Sequence, residues 1–133
     1  EGLFRLRAVG VYGTIGDADK INDAYRDTAG AFVKKIADSF YGFYAEGSYD
    51  ILPHIDPATT TELHLFTRYE KYNTQASVTG FQANPANDRE EITVGATLKP
   101  TYNTAFKVDY QFLNNGAGVD AKTLNFGIGY QFN

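Results

Sequence analysis

Along 123–133 the chain alternates between apolar and small or polar side chains. Leu124, Phe126, Ile128, Tyr130 and Phe132 fall on one face, and Asn125, Gly127, Gly129 and Gln131 on the other. Strand side chains alternate with period two, so this pattern predicts a strand with one greasy and one wet face. Five further segments repeat it. In 3–14, Phe4, Leu6, Ala8 and Tyr12 oppose Arg5 and Arg7. In 41–51, Tyr41, Phe43, Ala45, Tyr49 and Ile51 oppose Tyr44, Glu46, Ser48 and Asp50. In 62–74, Leu63, Leu65, Thr67 and Tyr69 oppose His64, Arg68 and Glu70, with Phe66 breaking the pattern. In 91–99, Ile92, Val94, Ala96 and Leu98 oppose Thr93, Gly95, Thr97 and Lys99; in 104–112, Phe106, Val108, Tyr110 and Phe112 oppose Lys107, Asp109 and Gln111. The last strand is placed at 123–132.

Between these strands the connections 15–40, 52–61, 75–90, 100–103 and 113–122 run long, short, long, short, long. Ile21, Ala24, Tyr25, Ala29, Phe32, Val33 and Ile36 recur at helical spacing in the first of them, predicting a helix over 20–37. Asp17 or Asp19 would cap its start, and Lys34 with Lys35 would sit at the negative end of its dipole. Such a helix would pack over one end of the sheet or fold inwards. The connections 75–90 and 113–118 are rich in turn formers.

A greasy strand face meets either a protein core or lipid, and in the second case the wet face lines a lumen. Alternating long and short connections favour the second, because transmembrane barrels pair short periplasmic turns with longer outer loops. The composition agrees: 15% of the residues are aromatic, with ten Tyr, ten Phe, thirteen Gly and no Trp. A net charge of −4 leaves no basic surplus to neutralise a phosphate backbone, which argues against nucleic acid as a partner. There is no cysteine, hence no disulfide framework. No apolar run approaches the ~18 residues of a transmembrane helix, a limit that does not touch membrane strands. A start at Glu1 and the absence of Met lead to the expectation of a processed product or a fragment, any signal peptide already removed.

Several stretches resemble the C-terminal part of a Gram-negative outer-membrane porin-like family, of the phosphate-selective porin type. The segment 41–53 is similar to a strand leading into that family's short turn. Phe66-Thr67-Arg68-Tyr69-Glu70-Lys71-Tyr72-Asn73-Thr74-Gln75 resembles its charged strand, and 94–100 with 106–112 resembles its closing hairpin. Gly127-Ile128-Gly129-Tyr130-Gln131-Phe132 is similar to the terminal signature read by outer-membrane assembly machinery, with the departure that Asn133 follows the Phe. The likeness covers most of 40–133 and, more loosely, 1–14.

The resemblance implies an all-β fold: an antiparallel transmembrane β-barrel with one short loop helix, located in the bacterial outer membrane. Six strands fall short of the usual minimum of about eight, so 1–133 is expected to be one β-barrel region belonging to a larger barrel. The implied function is a porin, a channel for passive diffusion of small polar or ionic solutes, including anions such as phosphate. Its implied partners are outer-membrane lipid and lipopolysaccharide, small ionic solutes and the assembly machinery, with a homotrimer as the common assembly of such porins. Two rival readings are a soluble ligand-binding β-barrel with a greasy interior, and a structural outer-membrane barrel with a plugged lumen.

The wet-face charges are the candidate pore-lining set: Arg5, Arg7, Glu46, Asp50, Arg68, Glu70, Lys99, Lys107 and Asp109. Rings of such charges set the field an ion crosses. The competing role is bracing, in which opposed pairs on neighbouring strands each contribute a few tenths to ~1 kcal/mol. With five basic and four acidic members, the set fixes no anion preference. No cofactor is implied. His54 and His64 have no second His or Cys at ligand spacing. The run Asp17-Ala18-Asp19 lacks the Gly and Glu that a calcium loop needs later on. Paired carboxylates occur at Glu46/Asp50 and at Glu90/Glu91, the latter beside a loop, but no nucleophile elbow or phosphate loop accompanies them. The chain is not expected to be an enzyme.

Overall fold

Six antiparallel strands follow one another in an up-and-down sheet: β1 (Phe4–Thr14), β2 (Ser39–Asp50), β3 (Glu62–Ser77), β4 (Asp88–Thr101), β5 (Thr104–Asn115) and β6 (Asp120–Tyr130). This is a computed structural model, and it describes residues 3–132, so Asn133 lies outside the described residues. The sheet does not close on itself. Among the described residues, β1 pairs with β2 alone and β6 with β5 alone. No described helix is long and apolar enough to cross a membrane, which says nothing of strands.

Strand existence follows the alternation, but the ladders outrun it. Pairing continues past the expected limits of β4, β5 and β6, through Asp88↔Asn73, Glu90↔Lys71 and Asn114↔Asp120, where polar side chains interrupt the alternation. The connections become 15–38, 51–61, 78–87, 102–103 and 116–119, all but 51–61 shorter than expected. The last of these is a tight turn, not a long loop: Asn115 Oδ1 accepts from the N–H groups of Ala117 and Val119, both at 3.0 Å, and Gly118 takes φ +74°. Only 15–38 and 78–87 remain extended at that end, and 51–61 at the other end is one residue longer than 78–87, so the expected alternation of long and short connections does not hold.

The helix expected over 20–37 is a correction. Helix α1 spans Ala18–Ala24 and stops after seven residues. Beyond it, Asp27 Oδ1 accepts from Ala29 N (2.9 Å) and Ala31 N (2.8 Å), and Gly30 adopts φ +82°, a turn that no helix can contain. Asp17 precedes the helix in a left-handed conformation, φ 56°, and its side chain makes no cap, pairing instead with Lys20 at 2.7 Å. Lys34 lies 3.8 Å above the Tyr25 ring instead of at a helix end. Asn22 holds the segment together: it is fully buried, donates from Nδ2 to Ile36 O (2.7 Å) and accepts from Ile36 N (2.8 Å). Phe32 packs on Phe81 with ring centroids 5.7 Å apart, joining 15–38 to 78–87 at one end of the sheet.

The two faces of the sheet invert the usual order of burial. Phe126 is 77% and Ile128 79% exposed, and Phe4, Leu6, Tyr12, Phe43, Leu65, Val94, Phe106 and Leu124 are also exposed on that face. On the opposite face Asp50, His64, Thr93 and Asp109 are buried. The buried hydrophobic residues, Ala18 and Ala37, lie in the β1–β2 connection. Among the described residues, no apolar core lies beneath this sheet.

The apolar band also slides along the register. It runs Phe4–Tyr12 on β1 and Tyr41–Tyr49 on β2, whose ends face each other as Phe4↔Tyr49 and Tyr12↔Tyr41. On β3 it runs Leu63–Tyr69, although Tyr49 pairs with Leu65 and Tyr41 with Asn73. Leu63, Leu98, Phe106 and Ile128 then share one row, while on β6 the band reaches one row further, to Tyr130.

Candidate functional site: the polar face of the sheet

All nine charged candidates lie on one face. The register fixes this through Arg5↔Ser48↔Phe66↔Gly95↔Asp109 and Arg7↔Glu46↔Arg68, through Glu70 opposite Tyr44, and through Asp50↔His64↔Thr97↔Lys107 and Glu62↔Lys99. Arg5, Arg7, Glu46, Arg68, Lys99 and Lys107 line an open concavity of about 300 Å³, together with Ser48, His64, Phe66 and Thr97.

Eight of the nine are in ion pairs. Glu46 stands between Arg7 and Arg68, with Oε1 3.9 Å from Arg7 Nη1 and Oε2 3.9 Å from Arg68 Nη1. Arg68 turns its Nε to Glu70 Oε2 at 3.0 Å, two residues along the same strand, and lies 5.0 Å above the Tyr44 ring. Glu62 Oε2 accepts from Arg5 Nη2 (3.5 Å), Lys99 Nζ (3.0 Å) and His64 Nε2 (2.8 Å). Lys107 reaches Asp109 Oδ2 at 3.1 Å and caps the Phe66 ring at 4.8 Å. The chain of contacts runs on into neutral groups: Asn125 Nδ2 donates to Asp109 Oδ1 and Gln111 Oε1, both at 2.9 Å, and Gln111 Nε2 donates to Glu91 Oε1 at 2.8 Å.

Asp50 differs from the rest of the set. Its Oδ1 accepts from Leu52 N (3.2 Å) and Leu63 N (2.9 Å), so its carboxylate fastens the two sides of the 51–61 turn. Glu90 and Glu91 do not form a carboxylate pair beside a loop: both sit within β4, on opposite faces, with Glu90 across from Lys71. Glu46 and Asp50 share a face but have separate partners.

Glu62 and His64 are the site residues that sequence reasoning missed as a unit. The signal was present, since residues two apart in a strand share a face, the rule that links Arg68 with Glu70. Phe66, the apolar residue on the wet face, also has its reason here. It pairs with Gly95, which leaves room for the ring.

The described residues contain no group of three or more His, Cys, Asp or Glu disposed to hold a metal ion. Chemically the face offers fixed charge of both signs along a water-accessible surface. The ion pairs are partly exposed, so each contributes ~0–1 kcal/mol. Arg7, with 67% of its side chain exposed and a single ion pair of 3.9 Å, is the most exposed of the five candidate cations.

No family model matches the chain, and no solved structure does. A protein of Aquifex aeolicus (strain VF5), described only as uncharacterized, is 35% identical over 112 residues, a stretch covering 79% of this chain and 24% of that protein. The chain thus spans about a quarter of the length of this curated relative.

Proposed function

We propose that this sheet is part of the wall of a bacterial outer-membrane β-barrel channel, through which small polar or ionic solutes diffuse passively. The observation that carries the reading is the inverted burial among the described residues: apolar side chains outermost on one face, buried ionisable ones on the other, and no apolar core between them. In water such a face costs ~25 cal/mol for each Å² of apolar surface left exposed; against lipid it costs nothing. A soluble ligand-binding barrel needs the opposite arrangement, with its apolar side chains inside.

The sliding band adds a geometric argument. It descends four residues between β1 and β6. With ~3.4 Å per residue and ~4.8 Å between strands, it lies level only if the strands tilt by ~30°, close to the ~35–45° of transmembrane barrels. At that tilt the end Cα atoms of the band are ~18–24 Å apart along the membrane normal, against a typical apolar height of ~25 Å. The open edges of β1 and β6 are where further strands would pair, because an open edge is not tolerated in hydrocarbon. Anions such as phosphate belong to the proposed solutes, and the cations of the polar face would supply the field they cross.

Fractionation of the cells that make the intact protein tests the first half of the reading. The protein should remain with the outer membrane through salt and alkaline washes and come off in detergent. Recovery as a monomer in plain buffer would sink the proposal. Reconstituted in planar bilayers, it should give discrete current steps; a sealed bilayer would leave a plugged, structural barrel.

A further inference from the structure

One ionisable group on the polar face is not used up by its ion pair. His64 is 5% exposed, and its Nε2 lies 2.8 Å from Glu62 Oε2. An ionised carboxylate only accepts, so in the neutral ring Nε2 carries the proton and Nδ1 is the bare base. That Nδ1 is buried and has no hydrogen-bond partner among the described residues. Buried polar atoms are nearly always paired, so an unpaired one points to a role outside stability.

The charges around it are committed elsewhere. From β1 comes Arg5, which shares Glu62 with Lys99 of β4. From β2 come Asp50, directly across in the register and fastened to two backbone N–H groups, and Glu46, held between two arginines. From β5 come Lys107 and Asp109, paired with each other. On β3 itself stand Glu62 and Arg68. A second proton on His64 adds a positive charge to a concavity already lined by five cations, and Asp50 is the carboxylate that the register sets directly across from it.

We propose that His64 makes the polar face proton-sensitive, so that its ion preference shifts towards anions as pH falls. This rests on the reading of that face as a conducting path. Nδ1 is where the ring takes up a second proton, and replacing His64 removes that site while leaving every carboxylate of the face in place, so the two effects separate.

The test is the reversal potential of the intact protein in planar bilayers under a KCl gradient, from pH 8 to pH 5.5. The chloride-to-potassium permeability ratio should rise about twofold over that range, the order expected of one charge added to the face the ions pass. His64→Gln, which keeps a donor near Nε2, and His64→Asn, which keeps one near Nδ1, should both give a flat profile. Each variant is recorded after its folded mobility on detergent gels has been verified. The same rise in either folded variant overturns the role of His64 and leaves the channel intact. Absence of current steps in the unaltered protein overturns the channel, and this inference with it.

Discussion

Phe66 and Gly95 face each other directly across β3 and β4, and a Cβ on Gly95 would stand 2.7 Å from Phe66 Cε1. On its far side the same Cβ would stand 2.5 Å from Val108 O and 2.7 Å from Asp109 Cβ. The ring therefore fills the space that a glycine leaves, and Lys107 covers it. Gly95→Ala is expected to destabilise the sheet by about 1–3 kcal/mol through overpacking. Gly10→Ala is a fitting control, because its nearest neighbour would be Phe43 Cβ at 3.9 Å. Urea titration of the protein folded in lipid vesicles should show a lower midpoint for the first and little change for the second.

Arg7 and Lys107 separate lining from bracing. Both are substantially exposed, each with a single carboxylate partner. If the polar face is the conducting path, Arg7→Glu and Lys107→Glu should each move ion preference towards cations. Arg7→Glu should cost only ~0–1 kcal/mol of stability, the worth of an exposed pair. Unchanged selectivity in both variants, with lowered urea midpoints, would assign these charges to bracing alone.

On the other face, Val94 occupies the middle of the apolar band, between Thr67 of β3 and Tyr110 of β5. A lysine there should cost about 2–4 kcal/mol and reduce assembly if the face meets hydrocarbon. Val94→Leu should assemble normally. On a face that meets water, Val94→Lys would be harmless or would improve solubility, so full assembly of this variant contradicts the lipid-facing reading.

Asp50 bears on stability through geometry. Removing its carboxylate frees the N–H groups of Leu52 and Leu63 at the 51–61 turn. Asp50→Ala should lower stability by about 1–3 kcal/mol. Asp50→Asn keeps an acceptor oxygen and should recover part of that loss. Equal midpoints for the two variants would show that the turn does not depend on the clamp.

The strands were legible because β1–β6 each carry several period-two repeats on the apolar face. The ends were not, for a physical reason. Asp88 and Glu90 stay paired with Asn73 and Lys71, and Asn114 with Asp120, where polar side chains interrupt the alternation although the hydrogen bonds continue. The nine charged candidates fell on one face as expected, since period two fixes facing independently of register. Their partners depend on register: Glu62 gathers Arg5 from two strands away and Lys99 from the next, which spacing along the chain does not disclose. The helix was overextended because Phe32, Val33 and Ile36 keep a helical interval through a turn set by Asp27 and Gly30.

That turn makes the segment 15–38 a unit whose cohesion can be measured apart from the sheet. Its buried polar link is Asn22, which exchanges two hydrogen bonds with the backbone of Ile36, much as a paired strand residue would. Ala at position 22 leaves both backbone groups without that partner, a loss of ~1–3 kcal/mol. The loss should stay local, because the sheet registers do not involve Asn22 or Ile36. Trypsin should therefore cut Asn22→Ala faster at Arg26, Lys34 or Lys35, while the urea midpoint of the sheet stays put. Asn22→Asp should behave like Asn22→Ala, since a carboxylate accepts from Ile36 N but cannot donate to Ile36 O. A midpoint that falls in step with the faster cleavage would mean that the segment and the sheet unfold as one cooperative body.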